Sequence, residues 1–312
     1  TAPDGDTALS SSTDDWRQGS LMRLFLDCLP CLHRQVLEAA RIATADETCQ
    51  ARILDRAVGV LARRSEFSCA PELAKAMHEI VREETGIRDP YRAIKRRELD
   101  SALALEPRLW DFVGGADDQL ERALTVSATG NIMDAALTPD LDITACVSTE
   151  LDTTFARCDV AALRRDVAGA RQILVIADNS GEAVFDKPLL HVLGAGREVR
   201  YAVRDAPILN DCTLDEALYA GVGAHATMLS SGSSAPGTVL DNCTPEFLEA
   251  FRAADVVISK GQGNFESLSD PTPRPMYFLL KAKCAMIARR LDCTLGDYVF
   301  QRRGPEPQAA DR

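Results

Sequence analysis

Three short segments in the second half of the chain gather side chains capable of chemistry. The first is Asp178-Asn179-Ser180-Gly181-Glu182. It sets a carboxylate beside an amide, then a glycine turn and a Glu. Carboxylate and amide oxygens are hard donors suited to Mg²⁺ or Mn²⁺. The same residue types also suit an ordinary turn and helix N-cap. The second segment, Pro207-Ile208-Leu209-Asn210-Asp211, again places a carboxylate next to an amide, and it reads equally as a turn ahead of a helix from Thr213. The third is Lys260-Gly261-Gln262-Gly263-Asn264-Phe265-Glu266. Glycines let backbone N–H groups approach an anion, and a lysine adds a point charge. A flexible loop with a surface lysine is the plain alternative.

What must position these segments is a set of strands. Each segment follows a strand-like run: QILVIA at 172–177, EVRYAV at 198–203 and DVVIS at 255–259. Weaker strand candidates lie at 225–229 and 284–288, and helical stretches at 182–195, 213–220 and 245–253. Strands alternating with helices predict an α/β domain with a mainly parallel sheet covered on both faces. In such sheets the ligand crevice lies at the carboxyl ends of the strands, the edge that all three segments would share.

The first half has a different texture. Apolar stripes at helical spacing include Leu32/Val36/Leu37/Ala40, Ile53/Ala57/Val60/Leu61, Leu73/Met77/Ile80/Val81 and Leu109/Val113/Ala116/Leu120. Breakers at Pro71, Gly86, Pro90 and Pro107 separate them, and no strand signal interrupts. The expected organisation is a disordered tail over 1–20, a helical bundle over 21–150, and an α/β domain over 151–312.

Composition narrows the function classes. Of 312 residues 46% are hydrophobic and 26% charged, which is ordinary globular usage. The net charge is −12, whereas a nucleic-acid binder usually carries a basic excess. No apolar run approaches the roughly 18 residues of a bilayer span. Nucleic acid and membrane are therefore not expected partners. Ten cysteines without a basic, then apolar, leader predict reduced thiols in the cytoplasm. No P-loop, dinucleotide fingerprint, H-E-x-x-H or G-x-S-x-G pattern occurs.

Taken in order, DNSGExxFD, PILND and KGQGNFE on an α/β half resemble the damage-control phosphatase family, also known as domain of unknown function eighty-nine. Cys28-Leu29-Pro30-Cys31, Asp89-Pro90-Tyr91, Gly130-Asn131-Ile132-Met133-Asp134 and Lys283-Cys284 match its microbial, CxxC-containing subgroup. The resemblance runs over about residues 25 to 300. It implies an all-helical up-and-down bundle over 21–150 and a three-layer α/β/α metal- and phosphate-binding domain over 151–312. It also implies a metal-dependent phosphatase, a phosphomonoester hydrolase acting on small phosphorylated metabolites such as sugar phosphates or damaged compounds. It carries metal ligands onto Asp178, Asn179 and Asp211, with Mg²⁺ or Mn²⁺ expected and Co²⁺ or Ni²⁺ also accommodated. It carries a substrate-contacting lysine onto Lys260 and an acidic position near the substrate onto Glu182. Gly261, Asn264 and Asn131 complete the expected substrate contacts, and Asp178, Asp211 and Glu182 the catalytic set.

Two other functions compete. One is an S-adenosylmethionine-dependent carboxyl methyltransferase, weakened by the lack of a glycine-rich cofactor loop after QILVIA. The other is a non-catalytic metabolite-binding or redox-sensing protein built around Cys28 and Cys31, weakened by the intact metal-ligand positions. The CxxC lacks a second pair for zinc and a preceding strand for a thioredoxin-like role. Arg92, Lys95, Arg96 and Arg97 read as a solvated helix face.

Overall fold

The computed structural model describes residues 24–131, 149–152, 154–269 and 273–305. The expected tail over 1–20 lies outside them, and the expected division near 150 adjoins the undescribed 132–148. Five helices open the described chain: α1 (Cys28–Ala43), α2 (Glu47–Ala62), α3 (Ala70–Thr85), α4 (Arg92–Gly114) and α5 (Gln119–Thr129). Their ends follow local chemistry. The Asp46 carboxylate accepts from the Thr48 N–H and the Asp118 carboxylate from the Glu121 N–H. Pro71 sits in the first turn of α3, where its missing N–H costs nothing, and Gly86 closes that helix with φ +69°. Pro107, expected as a breaker, lies inside α4. The break falls instead at Gly115, so the expected 109–120 stripe divides between α4 and α5.

The five helices form two packing groups. The apolar faces of α1, α2 and α3 share a core of Val36, Ile53, Leu73 and Met77. Leu99, Leu105 and Leu109 of α4 and Leu124 of α5 instead join the core on one face of the sheet.

The sheet has seven strands in the order β1-β7-β6-β5-β2-β3-β4. They are β1 (Arg157–Cys158), β2 (Gln172–Ile176), β3 (Glu198–Val203), β4 (Thr227–Ser230), β5 (Val256–Lys260), β6 (Met276–Lys281) and β7 (Tyr298–Arg303). All neighbours are parallel except β6 and β7. The connecting helices are α6 (Val160–Ala168), α7 (Glu182–Leu193), α8 (Leu214–Tyr219), α9 (Pro245–Ala253), α10 (Gln262–Leu268) and α11 (Ala285–Leu291). With α4 and α5 beside α7 on one face and α9, α10 and α11 on the other, the domain has three layers. The α/β fold class is as expected. The run at 284–288, expected as a strand, is the start of α11: its Ala and Met favour helix, and Cys284 is the N-cap residue. No helix among the described residues is long and apolar enough to cross a membrane.

β2 lies inside the sheet, with β3 on one side and β5 on the other. The chain leaves β2 toward β3 and later returns to β5, so connections diverge on either side of β2. A crevice opens at the carboxyl end of such a switch point.

Candidate active site

The loops after β2 and β3 are zipped together at this edge. Cys212 N–H donates to the Asp178 carbonyl at 2.8 Å, and Ser180 N–H to the Asn210 carbonyl at 2.8 Å. Asn179 and Asp211 form an isolated antiparallel bridge. The Ser180 hydroxyl also donates to the Asn210 and Asp211 carbonyls. Leu209, just ahead of the pair, holds φ +48°, a region that bulky side chains avoid at roughly 1–2 kcal/mol. The surrounding bonds thus hold a strained backbone in order to present Asp211.

Asp178, Asn179 and Asp211 line one cleft of about 460 Å³. Its other walls come from Cys28 and Cys31 of α1, Pro71 and Ala74 of α3, Gln262 and Glu266 of α10, and Lys283-Cys284 ahead of α11. All three expected metal ligands are therefore brought together.

Each ligand is oriented from behind. The Arg204 guanidinium, 1% exposed at the end of β3, donates through Nε to Asp211 Oδ2 at 2.7 Å. Its Nη1 donates to Thr238 Oγ1 and Asn264 Oδ1, and its Nη2 lies 3.8 Å from Asp178 Oδ1. Asn179 Nδ2 donates to Glu182 Oε1 at 3.0 Å, which fixes which way the amide faces. At Gly261, φ +83° and ψ 160° is a conformation essentially confined to glycine, and an added Cβ would lie 2.0 Å from Asp178 Oδ2. Only glycine lets β5 end against that carboxylate.

The remaining expected residues lie behind the cleft rather than on its walls. Lys260, expected to hold a phosphate, is fully buried. Its Nζ donates to Ser127 O at 3.1 Å, Glu182 Oε2 at 2.7 Å and Asp186 Oδ1 at 2.6 Å. An ammonium has three protons, so none is left for a substrate. Burial alone would lower its hold on its proton, but Asp186 and Glu182 outweigh that and raise it. Glu182 is equally sealed. Burial pushes its carboxyl up, against the pull of Lys260. Asp186 also accepts from Ser127 Oγ and Tyr201 OH, closing the cluster.

Asn264 is fully used as well. Its Nδ2 donates to Ala177 O and Lys260 O, and its Oδ1 accepts from Arg204 and Thr238. It ties the ends of β2, β3 and β5 together. Asn131 is 5% exposed and neither of its amide atoms has a hydrogen-bond partner among the described residues.

Sequence reasoning missed Arg204 and gave Asp186 and Glu266 no role of their own. For Arg204 the available signal was a basic residue directly after the apolar end of EVRYAV. Of the expected solvated face, Arg92, Arg96 and Arg97 are exposed. Lys95 is not: it is 1% exposed between Asp89 and Glu216, each at 2.7 Å. Cys28 and Cys31 are free thiols in the first turn of α1.

Among the described residues no group of three His, Cys, Asp or Glu side chains is disposed to hold a metal. The donor set at the cleft is two carboxylates and one amide. Those are hard oxygen donors, with the Asp211 and Asn179 side chains each held in place by a second partner, which suits a hard divalent cation.

The model of the damage-control phosphatase ARMT1-like domain matches residues 24–299. A damage-control phosphatase of Pyrococcus horikoshii is 31% identical over 291 residues, covering 90% of this chain and 98% of its own. One from Archaeoglobus fulgidus is 30% identical over 281 residues, covering 87% and 96%. A crystal structure of a DUF89 family protein from Pyrococcus horikoshii superposes with a TM-score of 0.82 at 30% identity, covering 89% of this chain and 98% of the other. A match across nearly the whole chain, in sequence and in fold, places it: the chain belongs to the damage-control phosphatase ARMT1-like family.

Proposed function

We propose that the protein is a metal-dependent phosphomonoester hydrolase acting on small phosphorylated metabolites, a sugar phosphate or a related damaged compound. The observation that carries this reading is the convergence of Asp178, Asn179 and Asp211 on one cleft at the carboxyl edge of the sheet. The names of the relatives supply the reaction class.

Asp178, Asn179 and Asp211 would hold a divalent cation, Mg²⁺ or Mn²⁺ by donor type, with Co²⁺ or Ni²⁺ also accommodated. A cation held there supplies charge withdrawal from a phosphoryl group and makes nearby water more acidic. Arg204 keeps Asp211 aimed. Glu182 spends its carboxylate on Asn179 and Lys260, which makes it a positioning residue rather than one that touches water. Lys260 serves the same end by holding Glu182 and Asp186 in place. Four carboxylates, Asp178, Glu182, Asp186 and Asp211, meet two cations, Lys260 and Arg204, in this region. That excess of negative charge favours uptake of a cation.

The test is phosphate release from a panel of phosphometabolites with Mg²⁺, Mn²⁺, Co²⁺ and Ni²⁺ in turn, with S-adenosylmethionine turnover followed in parallel. Release that depends on the ion and disappears with chelation is expected. Methyl transfer without phosphate release would overturn the reading.

A further inference from the structure

We propose that Glu266 is the general acid of this reaction, donating a proton to the leaving-group oxygen of the phosphomonoester. The inference rests on the phosphatase reading above and adds a residue to it.

Glu266 sits on the face of α10 that lines the same cleft as Asp178, Asn179 and Asp211, one turn after Gln262. Gln262 Nε2 donates to Glu266 Oε1 at 2.8 Å, and the Lys283 N–H in turn donates to Gln262 Oε1 at 3.0 Å. The carboxyl is thus held by a side chain that is itself held. Gln262 is its one hydrogen-bond partner among the described residues, so the second oxygen is available to the cleft.

The rest of the wall narrows the choice of acid. The ester oxygen of a phosphomonoester bound in this cleft can take a proton only from a group on its walls. These offer the thiols Cys28, Cys31 and Cys284, the cation Lys283, the exposed Asp27 and Glu266. Burial pushes the Cys28 thiol up to about 12 and the Cys31 thiol up as well, which makes both poor donors near neutrality. Glu266 also faces Cys69 ahead of α3. Burial raises the Glu266 carboxyl to about 7, opposed only by the Gln262 hydrogen bond. A carboxyl near 7 is the range in which an acid is both protonated and willing to give its proton up.

In the step, water attacks phosphorus and the bond from phosphorus to the ester oxygen breaks. The electron pair stays with that oxygen, which takes the Glu266 proton and leaves as an alcohol. The attacking water's surplus proton passes to the phosphate product or to solvent. Solvent returns a proton to the Glu266 carboxylate before the next turnover.

A leaving group that is stable as an anion needs no such proton, and this separates chemistry from structure. The experiment compares Glu266→Gln with the parent protein on glycerol phosphate, a poor leaving group, and on p-nitrophenyl phosphate, a good one, with the most effective of the four ions. The amide oxygen introduced by Glu266→Gln can still accept from Gln262, so the fold is retained; a thermal unfolding midpoint checks it. Expected is a loss on the order of 10²-fold in kcat on glycerol phosphate and a loss at least tenfold smaller on p-nitrophenyl phosphate. In the parent protein, the ratio of the glycerol phosphate kcat to the p-nitrophenyl phosphate kcat should fall as pH rises through about 7. That readout needs no variant and cancels groups that both substrates share. Equal losses on both esters, no loss on either, or a flat parent ratio would each overturn the assignment to Glu266 and leave the phosphatase reading standing. Failure of the parent protein to release phosphate from either ester with any ion would bring down the phosphatase reading, and this assignment with it.

Discussion

Two charged clusters lie back to back at the carboxyl edge of the sheet, one sealed in the interior and the other reaching a cleft. In the inner one, Lys260, Glu182, Asp186, Ser127 and Tyr201 satisfy one another. In the outer one, Asp178, Asn179 and Asp211 line a cleft, with Arg204 behind them. The residue types are alike: carboxylates, an amide or hydroxyl and one cation. Burial separates structural support from chemistry, and the Asn179–Glu182 hydrogen bond joins the two. A lysine after a parallel strand looks like a phosphate ligand in sequence, yet here it is the counter-ion that lets two carboxylates be buried.

Removing the inner cation should break this comparison most severely. Lys260→Met leaves Glu182 and Asp186 without a counter-charge, a loss of about 3–5 kcal/mol. Chemical denaturation should report it, and a variant as stable as the parent protein would return Lys260 to the substrate. The outer cluster should behave in the opposite way. Asp178→Ala should lower ion-dependent turnover by at least about 10²-fold while moving the unfolding midpoint little, because clustered carboxylates repel in the metal-free protein. Phosphate release and calorimetric metal titration on the same preparation check both halves.

Gly261→Ala probes the seam between the clusters. The backbone conformation alone costs about 1–3 kcal/mol, and the new methyl group would displace the Asp178 carboxylate. Metal affinity should fall together with stability, whereas an alanine tolerated on both counts would mean that β5 can retreat. The smallest effect belongs to Glu266. Its carboxyl is pushed up to about 7 from an ordinary 4.5, so the folded state binds the proton more tightly than the unfolded chain. That contribution is whole below about 4.5 and is lost as pH rises through 7. Glu266→Gln should therefore gain on the parent protein between about pH 5 and pH 8. Urea midpoints at the two pH values measure it.

The strands read most clearly were those with a chemical segment behind them, and the weaker candidate at 225–229 is β4. QILVI, EVRYAV and VVISK alternate or run apolar and end in polar loops, and they are β2, β3 and β5. MYFLLK at 276–281 and YVFQRR at 298–303 carry no such marker and went unread as β6 and β7. The two-residue β1 is too short for any periodicity to register. CAMIA shows the opposite error, since a five-residue apolar run suits a strand or one turn of helix equally well.

Residue types and order, without coordinates, determined the family resemblance, the α/β class, the helical character of the first half and the sharing of one sheet edge by Asp178, Asn179 and Asp211. Each depends on local pattern: apolar period, strand-end polar loops and motif order along the chain. The duties of Lys260, Glu182 and Asn264, and the presence of Arg204 behind Asp211, were decided only by the tertiary structure. Burial and pairing arise between segments as distant in sequence as Ser127 and Lys260, and solvation decides whether a charge is spent on its neighbours or kept for a ligand.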